Sequence, residues 1–209
     1  MEIIISESYD ELSRHAKTLI IEEISNKKDI LLCASTGDSP TKTYELLADE
    51  YHHQPELFSQ LRVIKLDEWG NVLMDHPKTC ESYLQQHLIK PLQISNSRYF
   101  SFLSNPKDPK LECTRIQNEL VSHGPVDLCI LGLGMNGHIA LNEPAEFLQA
   151  KCHIANLSDK SLQHPMATGM QVKPTFGLTL GMADILHSKK IIILINGSHK
   201  KAITKEFIS

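Results

Sequence analysis

The segment Val126–His138 reads VDLCILGLGMNGH: six residues dominated by apolar side chains, then a glycine-rich turn that ends in a histidine. An apolar run this short, closed by glycines, suits a buried β-strand better than a helix, which needs a longer periodic stretch. The same design recurs along the chain. Ile30–Ala34 runs into STGDSP, Leu61–Leu66 into DEWGN, and Ile191–Ile195 into NGSHK. Nearly continuous runs of Ile, Leu and Val imply strands covered on both faces, as in a parallel sheet. Helical patterns alternate with them. Ser8 is placed to cap a helix whose Leu12, Ala16, Leu19, Ile20 and Ile24 share a stripe, and a second passes through Tyr44, Leu46 and Leu47. A third covers Glu81–Ile89 and stops before Pro91, and a fourth runs through Leu111, Arg115 and Leu120 to Gly124-Pro125. Ile3–Ile5 and Tyr99–Leu103 are weaker strand candidates. The expectation is a single α/β domain over 1–209, a doubly wound, mostly parallel, Rossmann-like sheet with helices on both faces.

The polar, weakly periodic stretch 151–173 suits a lid more than core. The closing KKAITKEFIS reads as the first turns of a helix after a last strand, so a further C-terminal part is expected to be missing.

Composition narrows the functional classes. With 209 residues the chain makes one ordinary domain. Its 21 basic against 25 acidic residues give a net charge of −4, which argues against a nucleic-acid binder or an anionic-membrane protein. Apolar residues at 41% with charged residues at 22% describe a folded globular chain. No apolar run approaches the ~18 residues of a membrane span. The N-terminal MEIIISESYDEL lacks the basic and long apolar regions of a secretory signal. Five cysteines, odd in number and without a C-x-x-C pair, fit reduced thiols and a cytoplasmic location.

In a doubly wound sheet, ligands sit beyond the carboxyl ends of the strands. Four strand ends here open into loops with glycine and functional side chains, and their convergence on one edge predicts a site. Ser35, Thr36 and Gly37, followed by Ser39 as N-cap and Pro40 at the first helical position, would offer backbone amides to a phosphate. A plain turn with a cap reads equally well if this loop is taken alone. Gly197–Lys200 repeats the design and adds a cation. Asp67, at the mouth of LRVIKL, is a candidate general base, although a lone strand-end aspartate is more often a cap. Asn136, His138 and Glu143 share a loop-to-helix segment in which the histidine could shuttle protons. No zinc-ligand spacing such as H-E-x-x-H occurs, so no metal is expected. His52, His53 and His76 read as solvated surface residues.

Taken in order, STGDSP, LDEW, GMNGHIALNEP and GSHK resemble the glucosamine-6-phosphate deaminase family, including its galactosamine-6-phosphate deaminase/isomerase branch. GHIALNEP is the most specific part; the related 6-phosphogluconolactonases have a Thr-Ala-Ser-type continuation after the histidine. The resemblance implies a cofactor-free and metal-free reaction on a 2-amino-2-deoxyhexose 6-phosphate. It implies that His138, supported by Glu143, opens the sugar ring and that Asp67 carries the C2 proton to C1. Ser35, Thr36, Gly37 and Lys200 would hold the phosphate. It implies an amino-sugar phosphate as the small-molecule partner; the charge balance argues for neither nucleic acid nor membrane, and a homo-oligomer stays open. Two positions depart from the family's better-known pattern. Asn136 stands where those deaminases carry Asp, which looks like the galactosamine-6-phosphate branch. No arginine follows Arg115, so the lid lacks the family's phosphate-gripping arginine, and His164 or Lys160 would have to substitute. The alternatives are a glucosamine-6-phosphate deaminase, a 6-phosphogluconolactonase-type hydrolase, and a non-catalytic phosphosugar sensor.

Overall fold

The computed structural model describes residues 1–208. Five strands form the main sheet: β1 (Leu31–Ala34), β2 (Arg62–Lys65), β4 (Tyr99–Phe100), β5 (Leu128–Gly132) and β8 (Lys190–Leu194), in the spatial order β4-β2-β1-β5-β8, all parallel. The chain winds outward from β1 to β4, then returns to start β5 on the other side of β1. The order therefore reverses between β1 and β5, and a crevice opens at their carboxyl ends.

Alternation along each strand builds two core layers. Leu32, Ala34, Val63, Leu128 and Ile130 pack under α1 (Tyr9–Asn26) and α2 (Asp38–His53). Leu31, Cys33, Ile64, Cys129 and Leu131 face the other way, against α4 (Pro109–His123) and α6 (Met182–Leu186). Burial on both faces explains why these strands read as unbroken apolar runs. The helix limits follow their signals: Ser8 caps α1 by accepting from Glu11 N, and Asp108 caps α4 ahead of Pro109. Thr79 caps α3 (Cys80–Leu84), which continues as a π-turn over Gln85–Ile89.

Several expectations are corrected. Ile3–Ile5 forms no strand; these side chains are exposed, because no sheet edge lies alongside to pair them. DEWG is not a loop but strand β3 (Asp67–Gly70), antiparallel to β7 (Phe176–Thr179), which pairs in turn with β6 (His153–Ala155). This second, three-stranded sheet claims the first residues of the expected lid. The excursion narrows to the stretch after β6, which carries the short α5 (Asp159–Leu162). The N-cap of α2 is Gly37, not Ser39, and Pro40 is its third residue; Gly37 has φ +101°, a conformation that favours glycine. The segment after His138 makes a turn bridged between Ile139 and Asn142 instead of entering a helix. His76 is half-buried, its carbonyl taken by Thr79 and Ser82. The chain's last described element is α7 (Lys201–Ile208), as KKAITKEFIS suggested. No described helix is long and apolar enough to cross a membrane.

Candidate active site

The crevice between the ends of β1 and β5 is a cavity of about 580 Å³. Eight of the nine predicted site residues line it: Ser35, Thr36, Gly37, Asp67, Asn136, His138, His164 and Lys200. Glu143 stands behind Asn136.

Asp67 opens β3, just past the carboxyl end of β2. It is 9% exposed, and burial, reinforced by the Glu68 carboxylate, pushes its pKa up to about 7. Lys65 and the Cys80 thiol oppose that rise. Beneath it lies a charged network that no sequence pattern announced. Lys65 Nζ donates to Glu68 at 2.7 Å, to Glu81 at 2.9 Å and to the Phe102 carbonyl at 2.8 Å. Glu68 also accepts from the backbone N–H groups of Trp69 (2.8 Å), Cys80 (2.9 Å) and Glu81 (2.8 Å). Fully satisfied, this buried network fixes the strand turn that presents Asp67.

Across the cavity, His138, Asn136 and Glu143 form a chain. Asn136 Nδ2 donates to Glu143 Oε2 at 2.8 Å, so its oxygen is free to accept, and His138 Nδ1 lies 2.6 Å from it. The ring proton therefore sits on Nδ1, and Nε2 is the nitrogen with a free lone pair. Burial holds the His138 imidazolium disfavoured; Glu143 pulls the other way, and Lys200 adds to the burial effect. Glu143 is half-buried, which by itself would raise its pKa, but hydrogen bonds from Ser161, Asn136 and Ser158 keep it more acidic than an ordinary glutamate. Ser158 and Ser161 come from the segment after β6, so that segment also anchors the relay. Gly134 permits the arrangement: a Cβ there would lie 2.5 Å from the His138 ring. Asn142 holds the turn from behind, donating to the carbonyls of Ile139 and Leu180.

The end of the cavity formed by the Ser35–Gly37 loop gathers donors. The Ser35 hydroxyl is buried without a partner. Lys200 Nζ is tied at 2.7 Å to the Leu133 carbonyl, and burial lowers its pKa. His164 Nδ1 accepts from Met166 N at 3.2 Å, which leaves the proton on Nε2, the ring atom facing Gly37 at 4.0 Å from a Cβ built there. Lys160 lines the same wall. The lid is latched by Lys78, which donates to the Pro165 and Thr168 carbonyls. Among the described residues, no three His, Cys, Asp or Glu side chains are grouped as a metal site.

Lys65, Glu81, Cys80 and the lid serines escaped the sequence reading. Ser158 had a usable signal, an S-D-K-S cap ahead of α5. Lys65 had none, since its partners are brought together only by the sheet.

The family model described as glucosamine-6-phosphate isomerases/6-phosphogluconolactonase matches residues 6–209. An Escherichia coli (strain K12) protein, AgaI, provisionally named a deaminase, is 39% identical over 97% of this chain and 80% of its own length. A glucosamine-6-phosphate deaminase of Bacillus pumilus (strain SAFR-032) is 33% identical over 97% of this chain and 85% of its length. Among solved structures, a monomeric glucosamine-6-phosphate deaminase superposes with a TM-score of 0.93 at 30% identity, covering 100% of this chain and 87% of that one. The 6-phosphogluconolactonase of Trypanosoma brucei, at 21% identity and a TM-score of 0.78 over 99% of this chain and 86% of that one, shares the fold.

Proposed function

The chain belongs to the family of glucosamine-6-phosphate isomerases and 6-phosphogluconolactonases, and on that premise we propose that it is an amino-sugar-6-phosphate deaminase acting on galactosamine 6-phosphate. The observation that carries the reading is Asp67: a buried carboxyl with a pKa of about 7 shares one cavity with the His138 relay and the Ser35–Gly37 loop. A base poised near neutrality is what abstraction of a proton beside a carbonyl requires. Ser35, Thr36, Gly37 and Lys200 hold the phosphate, with His164 reaching from the lid in place of an arginine. His138 Nε2 takes the anomeric hydroxyl proton and passes it to the ring oxygen as the C1–O5 bond breaks, and the transient imidazolium is stabilised through Asn136 by Glu143. Asp67 then removes the C2 proton and returns it to C1. The former carbonyl oxygen O1 gains the proton that the substrate's 2-ammonium group gives up as the double bond shifts to C2–N, water then adds at C2, and ammonia leaves to give the 2-keto sugar 6-phosphate.

The galacto preference rests on Asn136, the position at which the chain resembles the galactosamine branch; glucosamine 6-phosphate is the competing substrate. Incubation with each epimer, reading ammonia and ketose, tests both levels. Ammonia from neither, with hydrolysis of 6-phosphogluconolactone, would replace the deaminase reading by the hydrolase. Saturable binding of both epimers without turnover would replace it by a sensor.

A further inference from the structure

The Cys80 thiol stands between two groups that the proposed reaction uses at opposite ends of the substrate. Thr36 Oγ1, in the phosphate loop, donates to Cys80 Sγ at 3.5 Å. The Cys80 S–H in turn donates to Asp67 Oδ1 at 3.8 Å. Cys80 is 2% exposed and is the first residue of α3, set in place by the Thr79 cap. Its own N–H is committed to Glu68, so the residue touches both the base and the carboxylate next to it.

We propose that Cys80 is a positioning residue that couples occupancy of the phosphate loop to the proton affinity of Asp67. The inference rests on the assignment of Asp67 as base and Ser35–Gly37 as phosphate loop, and it deepens that assignment by joining the two. A phosphate oxygen is a much stronger acceptor than sulfur. Phosphate seated at Thr36 therefore draws the hydroxyl proton away from Cys80. Hydrogen bonds in a chain polarise one another, so a sulfur that has lost its incoming donor gives a weaker S–H bond to the carboxylate. Asp67 then loses part of the interaction that favours its ionised form and holds a proton more tightly. The base becomes stronger when a phosphorylated substrate is in place.

Other groups face Asp67: Glu68 raises its proton affinity, Lys65 lowers it with Glu81 behind, and the Cys33 thiol lies beneath. A bound dianion also acts on Asp67 directly, through space, whatever occupies position 80. The coupling is therefore read as a difference between variants. The Asp67 carboxyl is titrated by NMR on ¹³C-labelled protein, its signal identified by loss in Asp67→Asn, with and without inorganic phosphate.

Without phosphate, Cys80→Ala should bind the Asp67 proton about two- to fivefold more tightly than wild type, the scale of one weak hydrogen bond. Cys80→Ser should restore or lower the affinity, because a hydroxyl is a better donor. Thr36→Val should tighten proton binding in the wild-type background and change nothing in Cys80→Ala, the non-additivity expected of groups acting through one link. Added phosphate should shift Asp67 less in Cys80→Ala than in wild type. Identical Asp67 titrations in Cys80→Ala and wild type, or fully additive effects in the double variant, would overturn the coupling. Ammonia release by the wild type is measured in parallel; its absence would defeat the deaminase reading while leaving the titration result standing.

Discussion

Lys65 Nζ lies 2.7 Å from Glu68 Oε2 with neither side chain exposed, and its charge acts on the neighbouring carboxyl of Asp67. Burial alone would discharge such a lysine, but Glu68 and Glu81 outweigh it and hold its pKa above the ordinary value. The pair, completed by Glu81, lets a strand bearing two adjacent acids enter the core. Lys65→Met keeps the length of the stem and leaves Glu68 and Glu81 uncompensated. The expected cost is ~3–5 kcal/mol in urea unfolding. Because Lys65 also lowers the Asp67 pKa, the acid limb of the rate profile of any folded variant should move to higher pH. A variant as stable as wild type would mean that the network carries no structural role.

Asp67 itself should trade stability for activity. Asp67→Asn removes the base, and turnover should fall roughly 10²–10⁴-fold while phosphosugar binding persists. Its folded pKa of about 7 lies above the 3.8 of an unperturbed aspartate, so the folded chain holds this proton to higher pH than the unfolded one. Wild-type stability is therefore lost as pH rises from about 4 to about 7, and the full penalty applies above 7. Asparagine has no charge to bury. The variant should therefore be more stable than wild type at pH 8, by up to roughly 4 kcal/mol, with the gap closing by pH 4. A melting temperature at pH 8 no higher than wild type would count against a desolvated Asp67.

The sheet and its mouth were legible because both faces of the strands are buried: Leu31–Ala34 and Leu128–Leu131 could hardly be anything else. The phosphate loop and His138 followed from where such strands end. β3 was hidden because Asp67 and Glu68 look like loop residues until Lys65 is placed behind them. β7 carried a readable signal, the alternation of Phe176, Leu178 and Leu180, masked by Pro174 and Gly177. Cys80 could not be read, and the cap at Ser158 announced a helix start but not its partner, since only tertiary folding brings these side chains to Asp67 and Glu143.

The lid histidine and the lysine opposite should show themselves in KM. His164→Ala removes an Nε2–H aimed at the Gly37 loop, and Lys200→Ala removes the cation. Phosphate is bound in the ground state and the transition state alike, so each change should raise KM several-fold and leave kcat within about threefold. Steady-state kinetics on the phosphosugar that turns over supply the check. A collapse of kcat at unchanged KM would instead put the residue at the reacting end.

Asn136 links a carboxylate to the histidine without contributing charge of its own. Its oxygen accepts a hydrogen bond from His138 Nδ1–H at 2.6 Å, and Glu143 Oε2 lies 3.9 Å from that nitrogen, so the negative charge reaches the ring at second hand. Burial and Lys200 already disfavour the imidazolium. Asn136→Asp brings a charge into direct contact with the ring. Glu143, held ionised by Ser161 and Ser158, competes by repelling the new carboxylate, since the amide donation at 2.8 Å is lost. The attraction between the introduced carboxylate and the His138 ring is the closer contact, so the ring should hold its proton to higher pH, by about one pKa unit. As the neutral ring is the form that accepts the anomeric proton, the acid limb of kcat/KM should move upward by the same amount. Activity should fall at pH 6 and recover toward pH 8–9. Glu143→Gln in the same chain removes the competing charge, and the double variant should retain a profile displaced in the same direction. The measurement is kcat/KM from pH 6 to 9 on both epimers for wild type, the single and the double variant. Superimposable profiles would mean that Asn136 does not couple to His138 electrostatically, and the relay through Glu143 would have to be abandoned.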